Sequence, residues 1–358
     1  MSDLFDYLIW RGDLSFENAP LCPVDTLLLS MLPYIRLEGL VPTAAEEPAH
    51  LRDVLGRYAA REENAASKHL PLIRALRDST RFGTLQAVEA VQELDREKGI
   101  QFAAITLLLP ADTLFVAFEG TDDTLIGWEE DLRMSYECPI PAQMRALAYL
   151  RRIATLYPLR RILVGGHSKG GNLAMYAAVH CGSEIRQRIQ DVYNHDGPGF
   201  CEGTLTTPAY LELRERIHTY LPASSIVAVL LEHDNNYKIV KSTQAGLLQH
   251  DPYSWQIEGP DFAYTDRRTA FGLEIEAIID RFTSELSPAR KKQFVEALFT
   301  VLEATGQETF SGIMGKKVQS LRGAIRSFAE LDPASRALLQ DTVTALGRSA
   351  KWIKKLEK

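Results

Sequence analysis

At 358 residues, 46% hydrophobic and 24% charged, the chain can bury a substantial core and suits one large α/β domain plus an extension. A net charge of −7 argues against a nucleic-acid binder. No apolar stretch approaches the ~18 residues of a membrane span, and the opening Met1-Ser2-Asp3-Leu4-Phe5-Asp6 carries acid where a secretory leader needs positive charge, so a cytoplasmic protein is expected.

The first predicted helix of weight is Val24-Asp25-Thr26-Leu27-Leu28-Leu29-Ser30-Met31-Leu32, opened by Pro23, which suits a first helical turn. Residues 41–98 are charge-rich and helical in pattern, broken at Pro42, Pro48 and Pro71, with little strand signal; they read as a helical cap or wall segment. Phe102–Leu109 and Thr113–Phe118, apolar runs either side of Pro110-Ala111-Asp112, predict a hairpin feeding a sheet. The second run ends in Glu119-Gly120-Thr121. Residues 141–157 have helical spacing and lead into a strand at Ile162-Leu163-Val164.

That strand enters Gly166-His167-Ser168-Lys169-Gly170, which fits the G-x-S-x-G nucleophile elbow, and a helix-forming run follows from Asn172. Gly166 and Gly170 would remove side chains that collide where a strand reverses at once into a helix. Ser168 would then present its hydroxyl at a helix N-terminus, where the dipole favours a developing anion. Further strands are predicted at Asp191–His195, closed by Asp196-Gly197-Pro198-Gly199, and at Ser225–Leu231, closed by Glu232-His233-Asp234; His218 reads as helical. Strands alternating with helices imply a mainly parallel sheet covered on both faces. From about residue 270 the pattern is helical, with breaks at Pro288, Gly306 and Pro333, and the balance turns to +3 against −10 for residues 1–269. The expected division is a hydrolase domain over 1–269 and a helical C-terminal extension over 270–358. The end, Lys351–Lys358, reads as a solvated helix tip or a segment docked on its own acidic domain rather than as a membrane contact. Cys22, Cys138, Cys181 and Cys201 are scattered without a C-x-x-C pair and read as reduced structural thiols, with no metal set.

A serine at neutral pH needs a base, and the base a third group to hold its tautomer. The chain order Ser…Asp/Glu…His of this elbow class directs attention to Asp234, past a predicted strand, and His250, 16 residues on. Asp196 competes for the acid; the shorter loop favours Asp234 and leaves Asp196 as a wall residue. Oxyanion donors are expected from the backbone N–H of Lys169 and from the Glu119-Gly120-Thr121 loop.

Phe118-Glu119-Gly120-Thr121, the elbow, Asp234 and His250-Asp251-Pro252-Tyr253-Ser254-Trp255 together resemble the signatures of class 3 (fungal-type) lipases. More closely, over about residues 1–260, the chain resembles the bacterial Mbeg1-like (DUF2974) family of the α/β-hydrolase superfamily. The resemblance implies Ser168 as nucleophile, Asp234 as acid, His250 as base, and Thr121 with Lys169 at the oxyanion hole. It implies a carboxylesterase or lipase-like enzyme on a small-molecule or lipid ester, without cofactor. A thioesterase or peptidase with the same triad, or a non-catalytic interaction protein on the hydrolase fold, are the alternatives. Those lipases usually carry Arg where Glu119 stands and Leu where Lys169 stands. An acid and an amine there imply a polar site mouth and short or polar acyl esters.

Overall fold

The computed structural model describes residues 2–43, 46–225, 227, 231–269, 272–273, 286–309, 312–313, 317–341 and 344. The helices are α1 (Leu4–Arg11), α2 (Pro23–Ser30), α3 (Leu51–Ala59), α4 (Leu70–Asp78), α5 (Thr80–Gly83), α6 (Leu125–Arg133), α7 (Pro141–Leu156), α8 (Lys169–His180), α9 (Ser183–Arg186), α10 (Pro208–Leu213), α11 (Pro288–Glu303) and α12 (Lys317–Glu330). The strands are β1 (Ala49–His50), β2 (Gln86–Asp95), β3 (Ile100–Leu109), β4 (Thr113–Phe118), β5 (Arg161–His167), β6 (Ile189–His195), β7 (Ile217–Pro222), β8 (Tyr237–Val240), β9 (Ile257–Glu258), β10 (Asp261–Phe262) and β11 (Tyr264–Thr265).

Nine of these strands form one sheet in the order β1-β2-β3-β4-β5-β6-β7-β8-β11. It is parallel through its centre, from β4 to β8, and antiparallel at both flanks. Helices cover both faces, which makes this an α/β-hydrolase fold with a C-terminal helical segment. The central strands show why. Along β4, Phe115 and Ala117 enter the core shared with α2, α3 and α4, while Leu114, Val116 and Phe118 enter the core shared with α7 and α8. A strand buried on both faces is apolar at every position rather than at alternate ones. Under the first face lies a fully buried pair. Arg81 grips Asp25 in bidentate fashion (Nε–Oδ1 2.7 Å, Nη2–Oδ2 2.5 Å), and the Tyr7 hydroxyl donates to the same carboxylate at 2.6 Å.

Two sequence expectations are corrected here, and a third lies mostly outside the described residues. Residues 86–95 form β2, not helix. Glu, Ala, Gln and Leu favour a helix intrinsically, but antiparallel pairing with β3 over Gln86–Asp95 overrides that weak preference. The same strand carries a bulge, Glu89 and Ala90 lying between the Val88–Thr106 and Val91–Ala104 pairs, with Glu89 at φ 52°. His218 lies in β7, not in a helix. The strand expected over 225–231 falls mostly outside the described residues, as does the Lys351–Lys358 end; Ser225 and Leu231 themselves are not in a strand.

The thiols depart from expectation too. Cys138 and Cys201 are joined in a disulfide, Cα atoms 6.3 Å apart, while Cys22 and Cys181 are free. The 63-residue separation hides the pairing from sequence spacing. In space, the bond links the loop before α7 to the loop that follows β6. Among the described residues, no helix is long and apolar enough to cross a membrane.

Candidate active site

Strand β5 ends at His167 and α8 begins at Lys169, so Ser168 alone makes the reversal, at φ 58° and ψ −135°. A non-glycine residue there is strained by roughly 1–3 kcal/mol and is held by its surroundings. The Ser168 N–H donates to the His195 carbonyl on the neighbouring strand at 2.9 Å. The glycines have the expected steric role: a Cβ on Gly166 would lie 2.1 Å from the Gly170 carbonyl carbon, and one on Gly170 2.2 Å from the Phe118 oxygen. The elbow therefore packs directly on the end of β4. Gly120 completes the contact, since a Cβ there would meet the Ser168 Cβ at 2.9 Å and the Tyr34 hydroxyl at 2.1 Å. Ser168 is only 5% exposed.

His250 meets a carboxylate, but not the one the sequence favoured. Its Nδ1 lies 2.6 Å from Asp196 Oδ2, while the Ser225 hydroxyl donates to Asp196 Oδ1. Asp196 is fully buried just past the C-terminal end of β6, beside the elbow strand, in a left-handed conformation (φ 54°), with its carboxylate at the Nδ1 edge of the His250 ring. Burial raises its carboxyl above the ordinary range, opposed by His250 and the Ser225 hydroxyl. Asp234 instead accepts from Arg214 Nε and the Tyr210 hydroxyl, each at 2.6 Å. These contacts, led by Arg214, lower its carboxyl to about 2. The 16-residue loop does not carry Asp234 to His250. The carboxylate set against His250 is therefore Asp196 and not Asp234, because adjacency in the sheet, not nearness in sequence, decides which strand end faces His250.

A second histidine, His167, ties the base to the elbow. Its Nε2 lies 3.0 Å from the His250 carbonyl oxygen, which can only accept, so Nε2 carries the proton. Its Nδ1 then accepts from the Tyr34 hydroxyl at 3.0 Å. Burial pushes the His167 imidazole well below its ordinary range, consistent with this neutral tautomer. The two histidine rings lie in contact, tilted by 32°, with centroids 4.7 Å apart. In the Nδ1–H tautomer, His250 donates to Asp196 and leaves Nε2 as an acceptor. Its side chain remains about one-third exposed (32%).

The two positions that depart from the lipase pattern do not face a polar mouth; that expectation is corrected. Lys169 is fully buried, its ammonium bonded to Glu130 Oε2 at 2.8 Å, the Gln101 carbonyl at 3.0 Å and Gln101 Oε1 at 2.5 Å. Burial alone would lower its pKa; Glu130, Asp131 and Glu119 outweigh it, and the ammonium is held above its ordinary value. Glu119 is 4% exposed and accepts from Gln101 Nε2 at 2.8 Å. Burial, with Asp122 nearby, pushes its carboxyl up to about 8. Glu130 also accepts from the Ala142 N–H at 2.9 Å. The Thr121 hydroxyl donates to Asp131, a carboxyl raised to about 6 by burial. Asp131 Oδ1 is buried, with no hydrogen-bond partner among the described residues. This polar cluster lies behind the Glu119-Gly120-Thr121 loop and joins β3, α6 and the start of α8.

Sequence reasoning missed Tyr34, Gln101, Glu130 and Asp131, and treated His167 only as a neighbour of the serine. Tyr34 is 133 residues from its partner, and no local spacing could pair them. The adjacent Glu130-Asp131 on a helix after the candidate oxyanion loop was a legible sign of paired acids, though not of their partners. Among the described residues, no group of His, Cys, Asp and Glu has the geometry of a metal site.

A family model described as Mbeg1-like matches residues 76–300, more than half of the chain. None of the curated proteins compared matches it. Among solved structures the chain is similar to Lip2 lipase from Yarrowia lipolytica, at 11% identity and a TM-score of 0.36, over 52% of this chain and 76% of that one. It is similar to lipase II from Rhizopus niveus at 14% identity and a TM-score of 0.34, over 51% and 74%. The lipase from Rhizopus microsporus var. chinensis matches at 16% identity and a TM-score of 0.32, over 67% and 88%.

Proposed function

The chain belongs to the Mbeg1-like family, and from its own site geometry we propose that it is a serine hydrolase that cleaves carboxylic esters through an acyl-enzyme. The observation that carries this reading is the 2.6 Å Asp196–His250 bond, held beside a strained serine at a helix N-terminus. Asp196 fixes the His250 tautomer and stabilises the imidazolium that forms. His250 Nε2 takes the Ser168 proton as the oxygen attacks the ester carbonyl, then passes it to the leaving alcohol. The oxyanion is received by the backbone N–H of Lys169, in the first turn of α8 where such groups have no partner within the helix, and by that of Thr121. With its hydroxyl committed to Asp131, Thr121 serves through its backbone. Water then attacks the acyl-enzyme by the same route in reverse. This chemistry needs no metal or organic cofactor, and we propose residues 1–269 as the hydrolase domain.

The test is covalent labelling with a fluorophosphonate, followed by turnover of nitrophenyl esters of increasing chain length and of the matching thioesters and amides. Ser168→Ala should lose labelling and several orders of magnitude in turnover. Comparable turnover by the variant would overturn the reading. The leaving-group series assigns the bond cleaved.

A further inference from the structure

The polar cluster behind the oxyanion loop is not closed by the hydrolase core alone. Helix α6 supplies Glu130 to Lys169 and Asp131 to Thr121, and its Gly127 abuts both the Thr121 methyl and Asp122, at 3.1 and 3.0 Å from where a Cβ would stand. The same helix is gripped from outside by the C-terminal segment. Leu125, in its first turn, is buried in an apolar cluster with Phe294, Val295 and Phe299 of α11 and with Leu338 and Leu339. The Leu125 N–H donates to the Glu308 carbonyl at 3.0 Å, next to a Thr124–Thr309 bridge. Beyond α6, Lys291 Nζ reaches the Ser135 carbonyl at 3.3 Å. So α6 lies between two sets of contacts, and the inner set holds the side chains of both residues whose backbone N–H groups are the expected oxyanion donors.

We propose that the C-terminal helical segment is a positioning element of the oxyanion hole, acting through α6. This rests on the hydrolase reading above. The donors must stand about 3 Å from an oxygen that exists only as the carbonyl becomes tetrahedral, and a displacement near 1 Å costs catalysis far more than ground-state binding. The elbow packing on β4 fixes the backbone path of Lys169 and Thr121, and a second set of contacts holds their side chains. The Lys169 and Thr121 side chains are held by carboxylates on α6, and α6 is held by α11 and the chain around Glu308. The segment thus sets the rate without touching substrate.

The test uses the full chain, well below its unfolding temperature. Phe294→Ala with Phe299→Ala empties the cluster against Leu125, Phe294→Leu keeps it apolar, and Leu339→Ala trims its edge should the double variant not fold. The substrate is nitrophenyl butyrate, and the oxyanion probe is a trifluoromethyl ketone, which binds as a tetrahedral anion. The double variant should lose about ten- to a hundredfold in kcat and in ketone affinity together, with KM within about twofold; Leu339→Ala should show a smaller loss of the same pattern, and Phe294→Leu should restore both. Folded variants with kcat and ketone affinity unchanged would overturn the proposal, as would a rise in KM alone. Ser168→Ala run alongside separates the failures: turnover surviving in it sinks the hydrolase reading, whereas Ser168-dependent turnover indifferent to these variants sinks this one.

Discussion

Asp196 and Asp234 each follow a short polar stretch at the end of an apolar run, yet only one reaches the base. Asp196→Asn should leave the fold intact and lower turnover by about 10⁴, because an amide in place of the carboxylate favours the wrong His250 tautomer. Asp234→Asn should leave turnover within a few-fold. Its carboxyl, lowered to about 2, contributes stability that is present above the ordinary value of 3.8 and lost as pH falls toward 2. The measurement is kcat for both variants beside acid unfolding curves; a larger loss of kcat for Asp234→Asn would reverse the assignment. Glu119 has the opposite sign. With its carboxyl raised from 4.5 to about 8, the folded state keeps a proton that the unfolded chain releases, so its contribution declines as pH rises across that window. Asp131, raised to about 6, adds to the same decline. Glu119→Gln should flatten the fall in urea midpoint between about pH 4.5 and 8. It should also sustain turnover at alkaline pH, since no charge then forms beside Gly120 to oppose the oxyanion. Parallel curves for variant and parent would refute this.

Among the elements, those that carry chemistry by local pattern were legible. The elbow, the β3–β4 hairpin, α7 and the end of β6 stand where their residues predict, because each is specified within about twenty residues by apolar runs, Gly and Pro. What escaped was specified at a distance. β2 is a strand only because β3 is there to pair with it, and Asp25–Arg81 and Lys169–Glu130 are pairs whose members lie on different elements. The disulfide belongs with them. By loop-closure entropy alone, a cross-link between residues 63 apart contributes about 4 kcal/mol. Cys138→Ser with Cys201→Ser should therefore lower unfolding free energy by up to that amount, read from urea midpoints, and reduction of the parent should match it. A midpoint indifferent to both would show that the bond constrains little.

For the whole molecule, a parallel-centred sheet with helices on both faces was readable from alternation alone, as were the helices at Pro288–Glu303 and Lys317–Glu330 among the described C-terminal residues. The segment's seating on α6 was not, since apolar faces state that they must be covered and not by what. The outer strand β2 illustrates a different economy. Ten residues long and capped by β1 only at Gln86 and Ala87, it could offer a long unpaired rim to another chain. The bulge at Glu89 kinks that rim, and the Glu89 N–H is already spent on the Pro42 carbonyl at 2.8 Å. Glu93 and Asp95 place negative charge along the remainder, and Arg145 straps Glu93 from the neighbouring helix at 2.7 Å. Such an edge is a poor template for intermolecular β-pairing. The irregularity in β2 thus guards the sheet against growing into aggregates, leaving it to end with its own chain.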